Sequence, residues 1–214
     1  MKKIKICGLF RDCDVDYVNE ALPDFIGFVF AKSRRQVSSD WAKVHRPRLR
    51  SEITPVGIFV NESLANVANL LNNGTIEMAQ LHGAETEDYI QALKSLTHKP
   101  IIKAVRVLSQ EDIKVAQHTL ADFLLLDNGA GGTGESFDWS LISQVKTQKQ
   151  IENQNLFQKQ QKPFFLAGGL KADNIDQAIA ATNPYAVDLS SGVETGGRKD
   201  REKILEIVRR MKYG

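Results

Sequence analysis

Cysteine is scarce in this chain of 214 residues: Cys7 and Cys13 are the only two, and their spacing fits no metal-binding pattern. Two thiols that stay free suit a reducing cytoplasm, the expected location. No apolar run approaches the ~20 residues that a membrane span needs, so no membrane partner is expected. The N-terminal M-K-K-I-K-I-C-G is basic but has neither an apolar core nor a small-residue cleavage site, so it reads as neither signal nor transit peptide. An excess of one charge is missing too. Lys and Arg number 28 against 26 Asp and Glu, a net charge of +2 with the signs interspersed, and no nucleic-acid partner is expected. A local site for an anionic small molecule stays open. What the chain does have is 42% hydrophobic residues, enough for one sizeable core. No linker divides it, and one domain over 1–214 is expected.

Short apolar runs alternate with amphipathic stretches along the whole chain. Lys3–Cys7 precedes a helix over Asp12–Ala21, with Cys13 in its first turn and no catalytic part for it. Run 24–30 precedes a helix from Ser39, capped by Ser38 or Ser39. Run 55–60 precedes a helix over 63–71, with Asn61 as the expected cap, and 76–81 precedes one opening near Thr86. Run 101–105 precedes S-Q-E-D at Ser109, which resembles a capping box. Phe123–Asp127 precedes 139–145, 164–167 precedes 174–181, and 186–190 precedes 199–211. About eight strand–helix units imply a parallel sheet covered by helices, and in ~200 residues a compact (β/α)8 barrel of the α/β class. A doubly wound open sheet would want fewer strands and G-x-G-x-x-G after the first, where this chain has C-G-L-F-R-D. One stretch breaks the rhythm. Residues 144–162 are polar and rich in Gln and Lys, an insert between the sixth helix and the seventh strand, which in a barrel is the non-catalytic face.

In such a barrel function belongs at the C-terminal ends of the strands. The sixth is the most telling: F-L-L-L-D ends in Asp127, and a loop with Gly131, Gly132, Thr133 and Gly134 follows, open to close approach by a ligand. The first strand delivers Cys7 and Gly8, the second leads to Arg34 and Arg35, and the fourth ends in Q-L-H-G with His82. Gly168 and Gly169 after the seventh strand, with Ser190, Ser191 and Gly192 after the eighth, match the barrel's usual phosphate position. Cys7 and Asp127 are the candidates for proton transfer. An electropositive site should lower the thiol's pKa towards neutrality and burial should raise the acid's, giving a pair usable at pH 7. Arg35 suits a ligand carboxylate, held bidentately. Against these stand plain readings: a core cysteine, a loop cap, a surface charge, a turn histidine.

K-I-C-G-L from Lys5, G-F-V-F followed by S-R-R from Gly27 to Arg35, V-G-I-F-V from Val56, Q-L-H-G-A-E from Gln80, G-G-T-G with F-D-W from Gly131, L-A-G-G-L from Leu166, and D-L-S-S-G-V-E with K-D from Asp188 run in order from first strand to last. Together they resemble the phosphoribosylanthranilate isomerases, over essentially the whole chain apart from the insert. The resemblance implies a (β/α)8 barrel that performs an Amadori rearrangement in tryptophan biosynthesis, on a sugar-phosphate substrate and without a metal or other cofactor. It implies Asp127 as the general acid that opens the ribose ring and Cys7 as the general base that takes the C2′ proton. Arg35 would hold the anthranilate carboxylate and the glycine–serine loops would hold the phosphate; His82, from its place at the fourth strand end, is the expected further substrate contact. A monomer or homodimer is expected. The family usually has proline at Arg34 and near Gly196, so both loops are expected to be looser here. Other sugar-phosphate barrels fit less well. An indole-glycerol-phosphate synthase would need lysines at strand ends, whereas Lys103 lies within the fifth strand, and a metal-dependent epimerase would need more inward histidines than His82. A non-catalytic phosphate-binding barrel would have had no need to keep Cys7 and Asp127.

Overall fold

The structure is a computed structural model, and it describes residues 2–127, 138–142 and 161–213. The apolar runs form β1 (Lys3–Cys7), β2 (Phe25–Val29), β3 (Thr54–Phe59), β4 (Met78–Leu81), β5 (Ile101–Arg106), β6 (Phe123–Asp127), β7 (Phe164–Leu166) and β8 (Ala186–Leu189). Each pairs in parallel with the next, and β8 returns to β1 through Ile4↔Val187 and Lys5↔Asp188, which closes the sheet. The fold is the expected (β/α)8 barrel. Outside it lie α1 (Asp12–Ala21), α2 (Ser39–His45), α3 (Leu64–Asn72), α4 (Glu87–Leu96), α5 (Gln110–Ala116), α6 (Ile175–Thr182) and α7 (Arg201–Tyr213), with residues 140–142 helical between β6 and β7. No helix of the described residues is long and apolar enough to cross a membrane.

Caps set where the helices begin. The hydroxyls of Ser38, Ser63, Thr86 and Ser109 accept from the N–H groups of Trp41, Asn66, Tyr89 and Asp112, each satisfying a donor that a helix start leaves free. The cap of α3 is thus Ser63 and not Asn61. Asn61 instead sits at φ 51° and its carboxamide accepts the N–H of Ala84 at 2.8 Å, tying the loop after β3 to the loop after β4. The last helix also starts later than the sequence pattern predicts. Arg198–Lys199 (β10) pairs antiparallel with Glu194–Thr195 (β9), and Asp200 caps α7 by accepting from Glu202 and Lys203. Gly196 and Gly197 join the two strands at φ 58° and 75°, the two-residue turn that needs positive φ at both positions. Proline, fixed near φ −65°, has no place at 196 in this turn. The glycine that the sequence marked as a loosening change therefore closes a tight hairpin.

Inside the barrel, side chains alternate in and out with period two. The floor is aromatic: Phe165 meets Phe25, Tyr185 and Phe123 edge-on, with ring centroids 5.2, 5.7 and 5.8 Å apart. Val56, Met78, Ile102 and Leu125 fill the space around it. Above this plug the interior turns polar, with Lys5, Gln80 and Asp188 all buried.

Candidate active site

The strand ends frame a cavity of about 400 Å³ at the C-terminal mouth of the barrel. Its walls carry Cys7 from β1, Asp127 from β6 and His82 just past β4, with Arg35 on the loop that follows β2, its side chain against Gly8. Gly168, Gly169, Ser190 and Ser191 close the side made by the β7 and β8 loops. Gly192 lies beneath them, where a Cβ would come within 1.9 Å of the Leu170 carbonyl, so only glycine lets these two loops touch. Gly131, Gly132, Thr133 and Gly134, and residues 144–160 of the insert, lie outside the described residues.

Parity explains the grouping. Lys5 and Cys7, Gln80 and His82, Leu125 and Asp127, and Asp188 and Ser190 are i, i+2 pairs that face the barrel interior. Gly27 stands beside Cys7 in the sheet, and a Cβ there would meet its sulfur at 2.8 Å, so the glycine makes room for the thiol.

The electrostatics of Cys7 differ from the expectation. The thiol's pKa is raised, because burial outweighs the Lys5, Lys199 and Arg35 cations that favour the thiolate, and Asp188 adds to the rise. The site is electropositive, yet the sulfur sits too deep among protein atoms for that to prevail, although it keeps some surface open to the cavity. His82, at the open mouth, is still surrounded closely enough that desolvation lowers its pKa, with Asp127 pulling the other way.

Beside the cavity, the carboxylate of Glu194 collects three cations. Arg35 donates through Nε and Nη2 at 2.6 and 2.9 Å, Lys199 at 2.7 Å and Arg34 at 2.8 Å. Burial pushes the Glu194 pKa up, but the hydrogen bonds from Arg35 and Lys199 prevail and hold it at about 2. Arg34 therefore ties the β2 loop to the β9–β10 hairpin, where looseness was expected. Because Glu194 takes the Nε side of Arg35, the guanidinium's outer edge remains for a second carboxylate.

Several of these residues escaped the sequence reading. Lys5, Glu194 and Lys199 look like surface charges in the sequence, and only the inward parity that Lys5 shares with Cys7 hints otherwise. Lys103 is engaged as well, donating to Glu85 and to the Gly83 carbonyl at 3.1 and 2.8 Å. Among the described residues no three His, Cys, Asp or Glu side chains converge to hold a metal ion.

Comparison with known proteins agrees with the geometry. Residues 4–210 match the family model described as N-(5′-phosphoribosyl)anthranilate (PRA) isomerase. The isomerase of Endomicrobium trichonymphae is 46% identical over 213 residues, 98% of each chain, and that of Lachnoclostridium phytofermentans 42% identical over 210 residues, covering 96% of this chain and 95% of its own. The crystal structure of the Thermotoga maritima phosphoribosyl anthranilate isomerase superposes with a TM-score of 0.82 at 32% identity, covering 99% of each chain. A barrel that sets a thiol, a carboxyl group and glycine–serine loops around one mouth, with such relatives along its whole length, belongs to the family of N-(5′-phosphoribosyl)anthranilate isomerases.

Proposed function

We propose that the protein converts N-(5′-phosphoribosyl)anthranilate to 1-(2-carboxyphenylamino)-1-deoxyribulose 5-phosphate, a step of tryptophan biosynthesis. The observation that carries the reading is the single cavity shared by Cys7, Asp127 and the β7 and β8 loops. A related phosphoribosyl anthranilate isomerase, 31% identical, has been solved with the reduced product analogue bound, which supports the same use of the same fold.

Asp127, in its protonated form, gives its proton to the ribose ring oxygen. The C1′–O bond breaks and the nitrogen lone pair forms a Schiff-base cation at C1′. Cys7, as thiolate, then takes the C2′ proton, and the C–H electron pair becomes the C1′=C2′ bond of an enolamine. Loss of the enol hydroxyl proton and gain of one at C1′ yield the ketone. The thiol's raised pKa makes the thiolate a minor but strongly basic form, and the Schiff-base cation formed by ring opening favours it at the moment of need. Arg35 offers its outer guanidinium edge to the anthranilate carboxylate. Gly168, Gly169, Ser190, Ser191 and Gly192 hold the phosphate with backbone N–H and hydroxyl groups, as the loops after strands seven and eight do in this architecture. The surplus of cations around Glu194 attracts a substrate with two anionic ends.

The test follows loss of anthranilate-type fluorescence as freshly made phosphoribosylanthranilate is consumed, without added metal. Wild type turns over, and Cys7→Ser and Asp127→Asn each lose at least about 100-fold in kcat, the scale of a general acid or base. An active wild type with one unaffected variant overturns that residue's role. An inert wild type overturns the function.

A further inference from the structure

The interior of a barrel like this one is ordinarily filled by branched apolar side chains. Strand β1 puts Lys5 there, fully buried. Its ammonium donates to Oδ2 of Asp188 at 2.8 Å and to Oε1 of Gln80 at 2.7 Å, and it also reaches the thiol of Cys7. An ammonium has three hydrogens and no acceptor, so these contacts use all of its donors. Two consequences reach the cavity.

The first runs through Gln80. Its Oε1 is tied to a group that only donates, which fixes the amide's orientation and turns Nε2 towards Nδ1 of His82 at 2.8 Å. An amide nitrogen only donates, so Nδ1 accepts, and the neutral ring carries its proton on Nε2. Desolvation lowers the ring's pKa, which favours this neutral form, with Asp127 pulling the other way. The second runs through Asp188. Lys5 holds Oδ2, while Oδ1 is buried and has no hydrogen-bond partner among the described residues. Asp188 is 9% exposed, and it lines the cavity. A buried carboxylate oxygen with nothing to accept is costly, and a ligand's O–H relieves that cost.

We propose that Oδ1 of Asp188 and the Nε2–H of His82 form a hydroxyl-binding subsite, one acceptor and one donor, for the secondary alcohols of the substrate's sugar, and that Lys5 is the positioning residue that sets both. The identity of the sugar rests on the isomerase reading above; the polarity of the subsite does not. A secondary alcohol donates one hydrogen and accepts through its lone pairs, so neighbouring hydroxyls of an open-chain pentose satisfy both groups at once. The same contacts fix the rotation of the sugar carbons beside Cys7, which aims the C2′–H bond at the sulfur.

Two measurements test this. In the first, binding of the reduced open-chain product analogue is compared by calorimetry with that of its 2-deoxy and 3-deoxy counterparts, on wild type and Asp188→Asn. Wild type prefers the fully hydroxylated analogue to at least one deoxy form by about 10-fold or more, the scale of a hydrogen bond to a charged group, and Asp188→Asn loses most of that preference. In the second, nitrogen-15 NMR of the histidine rings finds the His82 proton on Nε2 in wild type and on a mixture of the two nitrogens in Gln80→Leu. Equal binding of the analogues by wild type, full preference in a folded Asp188→Asn, or a wild-type His82 proton on Nδ1 each overturns the proposal. If Asp188→Asn does not fold, the wild-type preference and the wild-type tautomer decide. A wild type that consumes phosphoribosylanthranilate yet binds the analogues equally sinks this inference alone, whereas one that neither consumes it nor binds any analogue sinks the isomerase reading with it.

Discussion

A methyl group at position 27 would sit 2.8 Å from the Cys7 sulfur, well inside contact distance, and the backbone there has no slack because it is paired on both sides. Gly27→Ala therefore displaces the thiol from its place in the cavity. A drop in kcat of about 10-fold or more is expected with the far-UV circular dichroism unchanged, because a small misplacement of a reacting group is costly. The thiol's titration gives a second check at this scale. Burial favours its neutral form, so the thiolate fraction rises with pH only above the ordinary cysteine value, and alkylation of Cys7 by iodoacetamide should accelerate into that alkaline range. Mass-spectrometric quantification of the Cys7 peptide measures it, and a midpoint near neutrality would contradict the burial argument. Cys7 and Asp127 were legible as candidates in the sequence because each is the one reactive group at the end of an apolar run. The direction of the Cys7 shift was not, since it depends on how many atoms surround the sulfur.

Between residues and fold stands the β9–β10 hairpin, which carries Glu194 to Arg35. Its carboxyl has a folded pKa of about 2 against an ordinary 4.5, so its contribution to stability is complete above about 4.5 and fades as pH falls towards 2. The shift corresponds to something on the order of 3 kcal/mol, and breaking the cluster leaves buried Lys199 without its anion. Urea unfolding midpoints should thus fall more steeply from about pH 5 to about pH 3 in wild type than in Glu194→Gln, which starts lower. Gly196→Pro is the matching backbone test. Its φ of 58° is closed to proline, so the hairpin opens, Glu194 loses its place, KM for the substrate rises several-fold, and the melting temperature falls about as far as it does in Glu194→Gln. The starts of α2, α4 and α5 were read well in the sequence, since Ser38, Thr86 and Ser109 act within a turn of where they stand, whereas the cap of α3 and the start of α7 were not. The hairpin was not, because two strands of two residues leave no periodic pattern.

For the molecule as a whole, the floor and the mouth of the barrel are separate in kind. Phe165 anchors the floor with no exposed surface, touching three other rings. Phe165→Ala is expected to cost about 3–5 kcal/mol, seen as a lower denaturant midpoint, with KM of the folded fraction unchanged because the ring does not line the cavity and lies below the layer of Lys5, Gln80 and Asp188, of which the last two do. A shift in KM of more than a few fold would show that the two ends are mechanically coupled.

The sequence by itself determined the order of strands and helices, the closure that eight such units permit, and the residues standing at the strand ends. Those are local matters of period, turn chemistry and cap, readable within a dozen residues. Only the tertiary structure decided that Lys5 and Asp188, 183 positions apart, share a proton-bearing contact in the barrel's centre, or that Glu194 collects Arg34, Arg35 and Lys199. A charged side chain in a strand looks alike in sequence whether water or a partner neutralises it. Burial and distance make the difference, and both exist only once the barrel has closed.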